Sequence, residues 1–155
     1  IKYPNFLSIR TIQDDDQPIG NAGHSACYFP NHSPTEDLIL TFGGMIAEDD
    51  TTYTNELNYL LMEADGQITW AGLPFEYATD LQAPNQELLW AKSRWQHSAL
   101  AIDGKMWLFG GGRAEAHKST DIKTYDPDAC AWANLKLVEQ DSPCARMASI
   151  TLLTE

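Results

Sequence analysis

Ionisable side chains that could do chemistry are spread along this sequence of 155 residues and form no recognised catalytic motif. Arg113, Glu115 and His117 lie close together in a polar segment that could serve catalysis, although an ordinary solvated loop has the same composition. No Ser-His-Asp, Cys-His or paired-carboxylate geometry follows from isolated residues of this kind. The sequence therefore predicts no catalytic residue, no metal site and no cofactor.

The cysteines carry a second kind of reactive group. Cys27, Cys130 and Cys144 match neither a disulfide framework nor the ligand spacing of a zinc site. Cys27 falls in a predicted inner strand, where a buried thiol behaves as a small apolar side chain. An odd and sparse cysteine count fits a reducing compartment, so we expect a cytoplasmic protein.

Carboxylates dominate the charge of the chain. The formal net charge of −12 argues against nucleic acid or an anionic membrane as the main partner. No apolar run approaches the ~18 residues that a transmembrane helix needs, so we expect no membrane insertion. The acidity either keeps the protein soluble or forms a functional acidic face, and composition alone favours neither explanation.

A repeated β-hairpin must position these groups. Two apolar runs, His97 to Ile102 and Lys105 to Phe109, flank Asp103-Gly104, a dipeptide that suits the positive φ angles of a type I′ turn. Glycines follow the second run. An earlier copy starts at His24, and its second strand is the stretch from Leu38 to Gly44, which again ends in two glycines. The sequence thus predicts at least two similar antiparallel units.

The ordered residues of these copies resemble kelch repeats. The family pattern is Arg-x-x-His-Ser, a hydrophobic strand ending in Gly-Gly, a Tyr strand and a later Trp. Arg94-x-x-His97 aligns with Asn21-x-x-His24 and with Arg146-x-x-Ser149, and the resemblance covers nearly the whole chain. One departure is Leu60, which stands where the second copy has Tyr125. The framework positions of the pattern are His24, Gly43, Gly44, Trp70, Arg94, His97, Gly110, Gly111, Tyr125, Trp132 and Arg146.

The resemblance implies structural roles for these positions. Because His24 and His97 repeat at one framework position, we expect both to make structural hydrogen bonds. Trp70 and Trp132 are expected to pack one sheet on the next, with a partner for each indole N–H. Arg94 and its counterpart in the following copy are expected to tie adjacent sheets through carbonyls or carboxylates.

The predicted fold class is all-β, with antiparallel four-stranded kelch blades that form part of a β-propeller. Residues 21–74 and 94–137 are predicted to be blades. Residues 1–10 are predicted to be the outer strand of a preceding blade, and residues 146–155 the first strand of the next. The whole of 1–155 is then a partial propeller, since a closed one has ~4–8 blades. Either the chain is a piece of a larger propeller or other chains complete it.

Strand bounds follow from the apolar runs and the turn signals. The first blade has predicted strands at His24–Phe29, Leu38–Phe42, Asn55–Met62 and Gln67–Leu73. The second blade has predicted strands at His97–Ile102, Lys105–Phe109, Thr120–Tyr125 and Cys130–Leu137. Phe75 to Lys92 is an insertion, in which Leu88-Leu89-Trp90 forms either a short helix or an extra strand.

This strand order predicts which end of the molecule binds a partner. In an up-and-down sheet the connections after the second and fourth strands emerge on one side, and here those connections are the long loops. Loops on a rigid scaffold tend to hold binding residues, so we expect a net acidic surface for a protein partner there. The candidate partner-binding residues are Asp14, Asp15, Asp16, Glu48, Asp49, Asp50, Arg113, Glu115 and His117.

Two functions are compatible with the resemblance. The first is a non-catalytic scaffold or adaptor, because the family implies scaffolding, substrate capture for ubiquitin ligases, or cytoskeletal and trafficking contacts. The second is a kelch-type carbohydrate-active enzyme or copper-dependent oxidase with its site at the pore mouth. A copper site needs clustered His and Tyr ligands, whereas His32 and His117 are predicted on opposite faces. The protein-binding role is therefore favoured.

Overall fold

The computed structural model describes residues 21–46, 52–72, 90–112 and 121–135. These residues form strands and turns without a helix, so the predicted all-β class is confirmed. The strands in chain order are β1 Asn21–Ala22, β2 Ser25–Ser33, β3 Glu36–Ile46, β4 Tyr53–Glu63, β5 Ile68–Gly72, β6 Ser98–Ile102, β7 Lys105–Phe109, β8 Ile122–Asp126 and β9 Ala131–Asn134.

The first sheet contains β1 to β5, and all of its pairs are antiparallel. β1 and β2 lie end to end along the same side of β3, and β4 and β5 follow on its other side. The sheet is therefore four strands wide. Its centre is β3. In the apolar run of this strand, the alternate residues at positions 38, 40 and 42 point to one face and are almost completely inaccessible.

The second sheet is a four-stranded antiparallel meander in the order β6-β7-β8-β9. Its first hairpin turns at Asp103-Gly104, and both residues have positive φ, 49° and 73°, as the type I′ prediction requires. The second sheet repeats the strand order of the first, and the two pack against each other in a way that is compatible with neighbouring blades of a propeller.

The core lies between the two sheets. The first sheet contributes Leu38, Leu40 and Phe42 from β3, and the second contributes Met106 and Leu108 from β7. Because side chains alternate along a strand, each sheet presents one face to this core and the other away from it. Cys27 is also in the core, as predicted, and burial raises the pKa of its thiol to about 12.

The hairpin between β2 and β3 is longer than the sequence predicts. A polar loop was expected from Pro30 to Asp37, but β2 continues to Ser33 and β3 starts at Glu36, with an irregular register between Phe29 and Ser33. Asn31 there has a φ of 53° and donates its backbone N–H to the Asp37 carboxylate at 2.7 Å. The Tyr28 hydroxyl donates to the same carboxylate, and both bonds lower the pKa of Asp37. Side-chain hydrogen bonds thus hold a β-bulge where the composition suggested a loop.

Most other strand bounds move by one to three residues. β3 continues through its glycines to Ile46, because Asn21 and Ala22 pair with its last two residues. β9 starts at Ala131 since Cys130 belongs to the turn and has a φ of 48°. The insertion from Phe75 onward, residues 1–10 and residues 146–155 lie outside the described residues, apart from the short stretch 90–92 that ends the insertion.

Candidate functional site

The candidate binding residues Asp14 to Asp16, Glu48 to Asp50, Arg113, Glu115 and His117 lie outside the described residues. The strand ends that carry their loops are described, and they define one end of the molecule, which we call the loop-bearing end. Ile46 and Thr52 flank residues 47–51, and the Ile46 N–H donates to the Thr52 carbonyl at 2.9 Å. The chain therefore leaves the sheet before residues 47–51 and returns to it after them at nearly the same point.

The other loop anchors meet at the same place. Asn21, which follows the first acidic segment, pairs with Ile46. Gly112, which precedes residues 113–120, exchanges two backbone hydrogen bonds with Trp95, at 3.1 and 2.9 Å. Asp121, which ends that loop, is bound by Arg94. The topology thus brings three acidic or mixed-charge loops of the sequence to adjoining anchors.

Two aromatic rings lie between these anchors. Tyr53 and Trp95 stack with ring centroids 5.9 Å apart and planes at 25°. Both are half-buried, Tyr53 at the start of β4 and Trp95 beside Gly112. This pair is not predicted from the sequence, because the repeat pattern singles out the framework positions next to Trp95. Tyr53 closely follows the loop 47–51 in the sequence, but the position of Trp95 beside Gly112 depends on the fold.

Main-chain hydrogen bonds join the two sheets below this pair. The Gly44 N–H donates to the Arg94 carbonyl at 2.8 Å, and the Arg94 N–H donates to the Thr54 carbonyl at 3.3 Å. The Gln96 N–H donates to the Gly23 carbonyl at 2.8 Å. The segment before β6 therefore binds the first sheet through its backbone, which fixes the loop anchors of both sheets relative to each other.

The Arg94 side chain binds groups of its own sheet, whereas the predicted tie to the adjacent sheet is made by its main chain. The guanidinium is completely buried and forms a two-pronged ion pair with Asp121, at 3.2 and 3.1 Å. It also donates to the Gly110 carbonyl at 3.0 Å and to the Lys92 carbonyl at 3.2 Å. Gly110 directly follows β7 and Asp121 directly precedes β8, so both of their groups lie within reach of the Arg94 side chain. The hydrogen bonds to the other sheet come from the Arg94 main chain.

Asn21 repeats part of this arrangement in the first sheet. Its side-chain N–H donates to the Gly43 carbonyl at 2.8 Å, as Arg94 does to Gly110. The shorter amide reaches the same carbonyl as the guanidinium does, but it cannot form an ion pair. The aligned positions of the two repeats therefore share one contact and differ in the second.

His97 lies at the contact between the sheets. Its Nε2 is 2.6 Å from the Ser25 hydroxyl, and its ring meets Phe42 edge-on with centroids 5.6 Å apart. Burial, with the positive charge of Arg94 as a second cause, lowers the pKa of His97 to about 4. The predicted structural role fits this residue. His24 is exposed in the segment before β2, and its structural role stays a prediction.

Trp132 packs the second sheet on the first, as its predicted role requires. Its ring contacts Phe42 at 5.1 Å and Tyr125 at 5.0 Å between centroids, and Trp90 covers it at 5.7 Å. The Tyr125 hydroxyl is hydrogen-bonded to that of Tyr59 across the sheets, and burial raises the pKa of both phenols. The expected partner of the indole N–H is missing: Trp132 Nε1 is buried without one.

The predicted equivalence of the copies holds in the register. Leu60 pairs with Trp70 in the first sheet, and Tyr125 pairs with Trp132 in the second. Trp70 nevertheless lies on the face away from the core, where it is half-buried. The counterpart of a core residue thus faces outward in the first sheet. Arg146 lies outside the described residues.

The framework glycines make close backbone approaches. A Cβ on Gly43, whose φ is 65°, would lie 2.6 Å from the Arg94 carbonyl oxygen. A Cβ on Gly111, whose φ is 99°, would lie 2.8 Å from Cβ of His97. Gly44 and Gly110 also have positive φ, 113° and 67°. Glycine is required at the first two positions, because a side chain at 43 would push the sheets apart and one at 111 would displace the segment that leads into β6.

The end opposite the loops carries the turns. Exposed carboxylates there include Glu63, Asp103 and Asp128, and His32 lies 3.6 Å from Asp128. Within residues 21–46, 52–72, 90–112 and 121–135, no three His, Cys, Asp or Glu side chains are grouped as metal ligands. A search of the same residues for a helix of sufficient length and hydropathy to cross a membrane also finds none.

Neither a scan against protein-family models nor a search of curated proteins gives a match for this chain.

Proposed function

We propose that this chain is part of a kelch-type propeller and acts as a non-catalytic scaffold or adaptor in the cytoplasm. It binds a protein partner at its loop-bearing end. The stacked Tyr53 and Trp95 form the centre of that surface, and the acidic loops around them form its rim. The observation that carries this proposal is the position of the aromatic pair among the anchors of three loops.

The use of the repeat residues supports a scaffold role. The Arg94 guanidinium binds Asp121 and Gly110. His97 contacts Ser25 and Phe42, and Trp132 packs in the core between the sheets. Side chains committed to contacts within and between the two sheets are not available to a substrate. The residues left for binding are those at the strand ends and in the loops.

The chemistry of the loop-bearing end supports a protein partner. Tyrosine and tryptophan are enriched among the residues that dominate binding energy at protein interfaces, where a polar rim surrounds an aromatic centre. In the sequence, carboxylates at positions 14–16 precede the anchor Asn21, and carboxylates at positions 48–50 lie between the anchors Ile46 and Thr52. A partner with a basic surface would gain association rate from them and would lose it at high salt.

Photo-crosslinking from position 53 tests the proposal. The 155-residue chain with benzoylphenylalanine in place of Tyr53 is irradiated in cell extract, and the same amino acid in place of the exposed turn residue Thr35 marks the opposite end. We expect protein adducts from position 53 that are absent from position 35. Their yield should fall several-fold between ~0.05 and ~0.5 M salt, because the Debye length shortens from above 10 Å to a few Å.

Matched charge variants identify the role of the acidic loop. Glu48→Gln, Asp49→Asn and Asp50→Asn together should reduce the adducts from position 53. The control combines Glu63→Gln, Asp103→Asn and Asp128→Asn, which removes the same charge from the turn end and should leave the adducts unchanged. Adducts that are equal from both positions, or that contain only further copies of this chain, would contradict the proposal.

A further inference from the structure

Both sheets have a second face that points away from the core between them. In the first sheet this face carries Tyr28, Ile39, Leu60, Met62 and Trp70, and we call it face A. In the second sheet it carries Leu100, Ile102, Trp107 and Phe109, and we call it face B. Trp107 and Phe109 stack on face B with ring centroids 6.4 Å apart and planes at 19°.

Face A corresponds position by position to the buried face of the second sheet. The first sheet aligns Ile39, Leu60 and Trp70 across three neighbouring strands. The second sheet aligns Met106, Tyr125 and Trp132 in the same way. Met106 and Tyr125 are completely inaccessible and Trp132 is 3% exposed, because the first sheet covers them. Their counterparts on face A are all half-buried.

Face B corresponds in turn to the buried face of the first sheet. Ser25 pairs with Phe42 and Ser98 pairs with Phe109, so Phe109 is the counterpart of Phe42. Two residues earlier, Trp107 is the counterpart of Leu40. Phe42 and Leu40 are buried against the second sheet, whereas Phe109 and Trp107 are half-buried.

The two outer faces are therefore the two halves of the contact that already joins the sheets. We propose that face B of one copy of this chain docks on face A of a second copy, in the register with which the first sheet docks on the second. The contact uses different surfaces on the two copies, so it propagates head to tail and ends when a ring closes. Counting the two sheets that the described residues form in each copy, a propeller of ~4–8 blades needs two to four copies.

The apolar content of both faces fits this occupant. Face A presents Ile39, Leu60 and Trp70, and Tyr28, on the edge strand β2, is a large apolar side chain that is 49% exposed there. Contiguous apolar surfaces of this kind mark association sites. The assembly is independent of partner binding at the loop-bearing end, because the faces and that end use different residues.

The oligomeric state of the 155-residue chain tests the inference. Sedimentation velocity is measured over a hundredfold range of concentration at ~0.15 M salt, which screens much of the repulsion between acidic copies. We expect closed species of two to four times the monomer mass. Leu60→Glu on face A and Trp107→Glu on face B should each leave only monomer, and Thr35→Glu in an exposed turn should leave the assembly intact.

Mixing the two blocked variants provides the decisive measurement. Each retains the face that the other lacks, so an equimolar mixture should form a one-to-one dimer and nothing larger, although each variant alone is monomeric. Circular dichroism of the separate variants checks that both remain folded. A chain that stays monomeric at every concentration would overturn the inference. Assembly that survives either substitution would overturn it too.

Discussion

Gly43 shows how a single backbone position sets the spacing between the sheets. Its φ of 65° is unfavourable for other residues, and its missing side chain lets the Arg94 carbonyl approach to accept the Gly44 N–H. The two requirements are separable, because Gly104 has a similar φ of 73° with open space around it.

We predict that Gly43→Ala lowers the free energy of unfolding by about 2 kcal/mol more than Gly104→Ala does. Both alanines take up a left-handed conformation, which costs about 1–2 kcal/mol. Only the alanine at position 43 also meets a backbone oxygen that cannot move without breaking the contact between the sheets. Urea unfolding of the two variants measures the difference, and equal losses would show that the close approach is unimportant.

At the scale of single residues, the sequence predicted which positions of the two repeats correspond better than which contacts their side chains make. The repeat pattern correctly aligned Leu60 with Tyr125, as the sheet register confirms. It could not indicate that Arg94 reaches Asp121, because the pattern fixes the start of a strand and not which carboxylate lies within the span of a guanidinium. It also could not indicate that His97 is buried whereas His24 is exposed, because burial of a histidine depends on the strand that packs over it.

The strands are held at their ends by side-chain contacts of very different burial. Arg94 joins the segment before β6 to the ends of β7 and β8, and its guanidinium is wholly inaccessible. Lys105 and Asp126 join β7 and β8 at the turn end at 3.1 Å, with side chains 47% and 28% exposed. The buried pair depends strongly on its partner because a buried charge without a counter-charge is costly.

We predict that Asp121→Asn destabilises the fold by about 3 kcal/mol, because it leaves the Arg94 charge buried without its carboxylate. Asp126→Asn is the matched change at the turn end and should cost at most about 1 kcal/mol, since water screens that pair. Thermal and urea unfolding report both values. A similar loss for the two variants would mean that the ion pair at Arg94 contributes no more than a surface pair.

Strand lengths were the less predictable property of the elements. The central strand of each sheet was evident from its apolar run, since one face of that run lies in the core and the other is at least half-buried. The β2–β3 hairpin looked like a loop because Pro30, Asn31 and Pro34 are typical of turns. The Asp37 carboxylate accepts hydrogen bonds from Tyr28 and Asn31, which extends the hairpin. Local composition does not show which donors a carboxylate several residues away will bind.

In the molecule as a whole, the contact between the sheets contains a titratable group. His97 is 6% exposed and bonded to Ser25 of the first sheet, and its pKa is lowered to about 4 mainly by burial. The unfolded chain binds a proton at this side chain near pH 6.5, well above the folded value. The unfolded state therefore holds more protons between these values, and stability falls as the pH falls through that window.

We predict that lowering the pH from about 7 to about 4 removes about 3 kcal/mol of stability through His97. His97→Gln, which has no group titrating in this range, should weaken the pH dependence by that amount. Thr35→Gln is the control and should keep the dependence of the natural chain, since Thr35 has no titrating group and lies in an exposed turn. Urea unfolding at several pH values measures all three proteins. An unchanged slope in His97→Gln would contradict the assignment.

The backbone bonds between the sheets have a consequence for how such a protein evolves. The hydrogen bonds of Gly44, Arg94 and Gln96 across the joint use peptide groups, which every residue except proline supplies in full. Replacement of a side chain at this joint therefore leaves these hydrogen bonds possible, provided that glycine remains at position 43. Related proteins whose sheets are joined in this way can lose the recognisable residues of their repeats long before they lose the arrangement of their sheets.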